Sequence, residues 1–222
     1  MKFTLFYENE TSKERVKEFV DRTKDENPLH NEENRILPGM YVLHLLTPYI
    51  SKPITKLDII FEKFSLFPAT LETQIEYLED RTNFEIVNER DRAKYSCTIF
   101  HQNSSRISNS KKLDAIFKIP GAVQRKVQGT DLFPKGTIGI YNRQSISFNG
   151  HNSHEMGELT FENIQKNGKR GLNINLSYNS EGKIIAEGTT FATVIDERVI
   201  YRAIKESQKK VKLINLILNK TE

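Results

Sequence analysis

Asp25 and His30 stand five residues apart in the run Asp25-Glu26-Asn27-Pro28-Leu29-His30. A carboxylate and an imidazole can pass a proton between a substrate and each other, and a stiff Asn-Pro step would hold the two at a fixed separation. Ile36-Leu37-Pro38-Gly39-Met40 follows. Gly39 opens an apolar stretch that reads as a helix, so a backbone N–H is expected close to the pair. Acid, base and oxyanion donor are the parts that acyl chemistry at a thioester carbonyl requires. Without that chemistry, Asp25 before Asn-Pro is an ordinary helix stop, and His30 a cap for residues 31–34.

Other polar residues have plainer readings. His44 falls on the apolar helix and reads as a satisfied core histidine. His151 and His154, with Glu155 beside them, share one loop; no further ligands gather there, so no metal is expected. Cys97 is the single cysteine, which excludes an internal disulfide or a cysteine zinc site, and its alternating surroundings make it a buried thiol. Lys111-Lys112 and Lys209-Lys210 read as solvated charges, either of which could meet a phosphate.

The elements that must carry the pair are legible by period. Residues 2–7 alternate as a strand. Thr11-Ser12-Lys13-Glu14 offers a capping box, and Val16, Phe19, Val20 and Thr23 then share one helix face. That helix runs into Asp25 and ends at Asn27-Pro28, because the residue before a proline avoids the helical region. Residues 39–50 form a second helix, apolar on most sides and closed off by Pro48 and Pro53. Segments 56–64, 69–78, 83–88 and 93–101 alternate and are rich in β-branched and aromatic residues, as in an antiparallel sheet.

The second half repeats this order. Lys118-Ile119-Pro120-Gly121-Ala122 echoes Ile36-Leu37-Pro38-Gly39-Met40, and segments 140–148, 159–165 and 184–191 correspond to 54–61, 71–77 and 93–100. Between His101 and Pro120 there is no room for a strand, a full helix and a second acid–histidine loop, and residues 102–112 read as a plain connection. One active set per chain is therefore expected. Residues 198–219 carry apolar side chains at helical spacing beside several lysines, which allows a membrane-surface helix but is expected to give a tail that packs on its own domains or on a sister subunit.

A chain of 222 residues with 37% hydrophobic and 28% charged content can bury a core. The net charge of +4 and pI near 9.0 suit an acidic partner, such as a nucleotide-bearing cofactor or an acidic carrier protein. No basic run is interleaved with stacking aromatics, so no nucleic-acid partner is expected. No apolar run reaches spanning length and the first residues lack a signal-peptide pattern, so a soluble, cytoplasmic protein is expected.

The motif and its setting resemble the MaoC-like (R)-specific enoyl-CoA hydratases and dehydratases of the hotdog fold. The resemblance covers residues 3 to 101 by motif and 116 to 195 by pattern. It implies an α+β double hotdog with two antiparallel sheets, each wrapped around a central helix. The expected divisions are an N-terminal hotdog (1–103), a degenerate C-terminal hotdog (113–197) and a helical tail (198–222). It also implies Asp25 and His30 as the catalytic pair, with Gly39, Asn27 and Thr47 serving the oxyanion and substrate. The thioester, carried on CoA or on an acidic acyl carrier protein, needs no further cofactor or metal. A homodimer fits the same pattern. Lys24 stands where the family has glycine, and Pro38 where it has histidine. Two other readings stay open: a non-catalytic acyl-binding hotdog or partner subunit of an active hydratase, and a hotdog thioesterase. The latter usually carries its carboxylate on the central helix, where residues 39–50 have none.

Overall fold

The computed structural model describes residues 3–31, 36–89, 92–101, 107–149 and 153–218. Strand β1 (Phe3–Thr11) leads into helix α1 (Lys13–Thr23). Ser12 caps that helix, its hydroxyl accepting from Arg15 N–H at 3.3 Å, and Val16 and Phe19 turn into the core. At the far end Lys24 adopts a left-handed conformation (φ 53°, ψ 40°), and its N–H and that of Asp25 satisfy carbonyls of the last turn. A single 3₁₀ turn, Pro28–His30, and helix α2 (Gly39–Leu45) follow.

Helix α2 is shorter than residues 39–50, for a reason the chain supplies. Pro48 has no N–H to give His44 O, and the Thr47 hydroxyl takes that carbonyl instead at 2.8 Å. Residues Thr47–Tyr49 tighten into a 3₁₀ turn.

Strands β2 (Ile54–Phe61), β3 (Ala69–Tyr77), β4 (Arg81–Asn88) and β5 (Lys94–His101) complete the first half. The second half opens with α3 (Asn109–Phe117) and α4 (Ile119–Val127), continues through β6 (Thr137–Phe148), β7 (Glu158–Asn167), β8 (Gly171–Ser180) and β9 (Lys183–Asp196), and ends in α5 (Glu197–Leu218). Helix α3 corrects the reading of a plain connection through residue 112. Ser108 caps it by accepting from Lys111 N–H, and Leu113, Ile116 and Phe117 bury one face.

The strands form one nine-stranded sheet, in the order β1-β3-β4-β5-β2-β6-β9-β8-β7, rather than two sheets. Antiparallel pairing of β2 with β6, from Lys56↔Ser147 to Ile60↔Arg143, joins the halves. Two strands that would otherwise be open edges cover each other. Burial alternates along β3, β4 and β5, so one face of the sheet is dry. A single hydrophobic cluster holds Tyr41 and Leu43 of α2, Ile59 of β2, Val123 of α4, Ile146 of β6 and Ile174 of β8. A second, smaller cluster seats Ile200 and Ile204 of α5 against Leu29, Ile36, Leu66 and Ile138, so the tail packs on its own chain. Among the described residues no helix is long and apolar enough to cross a membrane.

Candidate functional site

Asn27 builds the loop that holds the acid and the histidine. Its side-chain oxygen caps the 3₁₀ turn by accepting from Leu29 N–H at 3.1 Å, and Pro28 fits the first position, where no N–H is needed. Its own N–H donates to Asp25 Oδ1 at 3.2 Å, and its amide nitrogen donates to Gly139 O of β6 at 3.1 Å. The carboxylate of Asp25, 6% exposed, faces His30 with Oδ2 and Nε2 3.6 Å apart. That gap is too wide for a direct hydrogen bond, and it leaves both atoms able to accept from one shared donor.

The His30 ring is oriented from behind. Its Nδ1 lies 2.8 Å from Ile36 O, and a carbonyl oxygen only accepts, so Nδ1 carries the proton. In the neutral ring Nε2 is then the free base, and it points toward Asp25.

The pair opens into a cavity of about 610 Å³ at the seam between the halves. Beyond Ile60 and Arg143 the strands β2 and β6 no longer pair, and β6 shifts register against β9 between Tyr141 and Arg143. Residues 61–64 and 139–142 stand on the two sides of this fork and line the cavity. Leu37, Met40, Tyr95, Pro120 and Gly139 make its buried wall. Glu62 and Lys63 are exposed at its rim, and Ile200 and Ser207 of α5 flank it. Most of the lining is apolar, which suits a hydrocarbon chain.

Gly39 and Met40 line the same cavity at the start of α2, where the first backbone N–H groups have no acceptor within the helix. Glycine is required there by packing, since a Cβ on Gly39 would lie 2.6 Å from the Phe61 ring. Asp25, Asn27, His30 and Gly39 are therefore brought together. Thr47 is not: its hydroxyl is spent on His44 O, and it lies outside the cavity lining.

The second half supplies groups that local spacing did not reveal. Tyr141 of β6 lines the cavity and donates its hydroxyl to Pro120 O at 2.8 Å. Burial, and next the charge of Asp25, push its pKa well up, so it stays a neutral donor. Thr193 Oγ1 donates to Asn142 Oδ1 at 2.6 Å, and both residues face the cavity. Tyr141 lies in a segment that reads as a strand, but nothing in one sequence says that it meets a loop more than a hundred residues earlier.

The remaining polar residues lie elsewhere. His44 is half-buried among the rings of Phe19, Tyr41 and Phe117, and burial lowers its pKa. Its Nδ1 has no hydrogen-bond partner among the described residues, so it is a core histidine but not a fully satisfied one. His151 lies outside the described residues, and Glu155 pairs with Lys111 at 2.5 Å. Among the described residues no group of three or more His, Cys, Asp and Glu could hold a metal ion. Cys97 is buried and its pKa is raised by that burial, as for a structural thiol.

No protein-family model matches this chain, and no curated protein matches it by sequence. Solved structures match its fold. Full-length peroxisomal multifunctional enzyme type 2 from Drosophila melanogaster superposes at a TM-score of 0.59 with 11% identity, over 86% of this chain and 48% of that one. This chain thus spans about half the length of the Drosophila protein. The bifunctional dehydratase-cyclase domain of ambruticin biosynthesis gives 0.56 with 12% identity, over 92% and 94% of the two chains. An acyl-ACP thioesterase from Bacteroides thetaiotaomicron gives 0.50 with 10% identity, over 85% and 97%. At such identities the likeness establishes the fold, which is the hotdog fold.

Proposed function

We propose that this hotdog chain hydrates enoyl thioesters, or dehydrates (R)-3-hydroxyacyl thioesters, using Asp25 and His30. The observation that carries this reading is the buried carboxylate and the oriented imidazole, 3.6 Å apart across an opening into an apolar cavity. A water hydrogen-bonded to both Oδ2 and Nε2, on the cavity side of the pair, loses one proton to the pair as its oxygen attacks the β-carbon of a trans-2-enoyl thioester. The pair returns a proton to the α-carbon, so that one water is added and nothing else is consumed. Negative charge that develops on the thioester oxygen meets the Gly39 N–H at the start of α2. The two halves are fused hotdog units sharing this one site.

A thioesterase with its carboxylate on the central helix is disfavoured, because α2 carries neither Asp nor Glu. The outer face of α5 bears on the carrier. Arg198, Arg202, Lys205 and Lys209 are exposed at spacings of four, three and four residues, which aligns them along one side of the helix. Such a strip suits the anionic carrier of the thioester, an acyl carrier protein or CoA.

The test is a spectrophotometric assay of crotonyl and longer enoyl thioesters, on CoA and on carrier protein, with Asp25→Asn and His30→Ala beside the wild type. Each substitution is expected to lower turnover by about a hundred- to ten-thousand-fold while the melting temperature is kept. Near-wild-type rates in either variant would sink the assignment. Thioester binding without wild-type turnover would favour the non-catalytic acyl-binding reading. A carrier preference that survives high salt would count against the role of the α5 strip.

A further inference from the structure

We infer that Arg125, on the helix of the half that lacks the acid–histidine pair, is the positioning residue that sets Asp25 at its working distance from His30. Its kinetic arm rests on the hydratase reading; its structural arm does not.

The placement of Asp25 turns on one peptide plane. The C=O of Lys24 and the N–H of Asp25 belong to the same rigid unit, so whatever fixes both ends fixes the position of the Asp25 Cα and the axis about which its side chain can turn. Asp25 N–H donates to Val20 O at 3.2 Å, which ties one end of the plane to α1. Arg125 Nη1 donates to Lys24 O at 2.8 Å, which ties the other end to α4. Lys24 is a non-glycine residue at φ 53°, a conformation it leaves readily unless the surroundings hold it.

Gly121, one turn before Arg125, shows how close α4 comes. A Cβ there would lie 2.3 Å from the same Lys24 oxygen. Arg125 thus pulls on a carbonyl that seats against a glycine. Its second contact, to Glu26 at 3.9 Å, is between exposed groups and adds little. The bond to the carbonyl is charge-assisted and carries the effect. Arg125 does not line the cavity, so its loss is expected in kcat rather than in KM.

The experiment compares Arg125→Ala, Arg125→Lys and Glu26→Gln in the full chain by hydrogen–deuterium exchange of residues 24–29 and by enoyl-thioester kinetics. In Arg125→Ala the segment is expected to exchange roughly tenfold faster. Its kcat should fall about ten- to a hundredfold, with KM within about twofold of wild type, as for a displaced catalytic group. Arg125→Lys, which keeps a donor within reach of the carbonyl, should recover part of both, and Glu26→Gln should match the wild type. Wild-type exchange in Arg125→Ala overturns the proposal. So does faster exchange with unchanged kcat, or a Glu26→Gln variant that reproduces the loss. Absence of turnover in the wild type would instead remove the hydratase reading and leave exchange to decide the clamp.

Discussion

Lys24 pays a backbone cost of about 1 kcal/mol or more for its left-handed conformation, which glycine would not. Glycine in turn gives the unfolded chain more freedom, worth roughly 0.4–1 kcal/mol. The interactions that use this residue are made by its backbone: its N–H caps α1 and its carbonyl receives Arg125. Lys24→Gly is therefore expected to stabilise the chain by up to about 1 kcal/mol, a rise of roughly 2–4 °C in melting temperature, with turnover kept. A lower melting temperature would contradict this account. Lys112 is the opposite case, a lysine with no exposed surface that reads from sequence as solvated. Its Nζ donates to Ile54 O at 2.5 Å and lies 4.9 Å from the Phe148 ring centre, and burial pulls its pKa down to about 8 from 10.5. Below pH 8 it is charged folded and unfolded, and the full cost of burying the charge is felt. Above 10.5 it is neutral in both states and the cost is gone, so stability rises through that window. Relative to Lys112→Met, which cancels the titration of other groups, the wild type should gain up to about 3 kcal/mol between pH 7 and 10.5. Chemical denaturation at stepped pH measures it, and a constant difference between the two proteins would refute it.

Helix α2 and strand β2 meet at Gly39 and Phe61, and both line the cavity. Phe61 is 6% exposed and packs edge-on against Tyr95, so its ring has little room to yield to a methyl group at 2.6 Å. Gly39→Ala should cost about 1–3 kcal/mol and push the ring toward the cavity, raising KM for long acyl chains more than for short ones. Chain-length kinetics beside a thermal melt would check both, and an unchanged melt would show that the contact is slack. The start of α2 at Pro38-Gly39, the strands near 54–61 and 69–78, and a helix opening at residues 11–14 were readable from local period and capping chemistry, although Ser12 and not Thr11 is the cap. Three things were not. The end of α2 depended on a hydroxyl replacing a missing N–H at Pro48, which detached Thr47 from the cavity. Helix α3 hid in a polar run because only one of its faces is apolar. Tyr141, Asn142 and Thr193 reach the cavity through the fork between β2 and β6, a long-range pairing with no local signature.

The two halves meet along one seam. Ile59 of β2 stands opposite Gln144 of β6 across the seam, and the same dry cluster contains residues from α1, α2, α4 and β8. Contacts to the acid-bearing loop cross that seam as well, from Arg125 to Lys24 O and from Asn27 to Gly139 O. Chains whose parts bury one core melt together, whereas parts with separate cores melt apart. Ile146, with no exposed surface on β6, offers a way to tell which applies. Ile146→Ala removes buried carbon from the second half and should cost about 2–5 kcal/mol. That corresponds to a fall of roughly 5–15 °C in melting temperature for a chain of this size. With a joined core, hydrogen exchange in α1, in the other half, should rise by the same free energy as exchange in β6 when measured under conditions of global opening. Protection of α1 that stays at its wild-type value while β6 loosens would show two independent folding units, and the seam would then be a contact between finished domains.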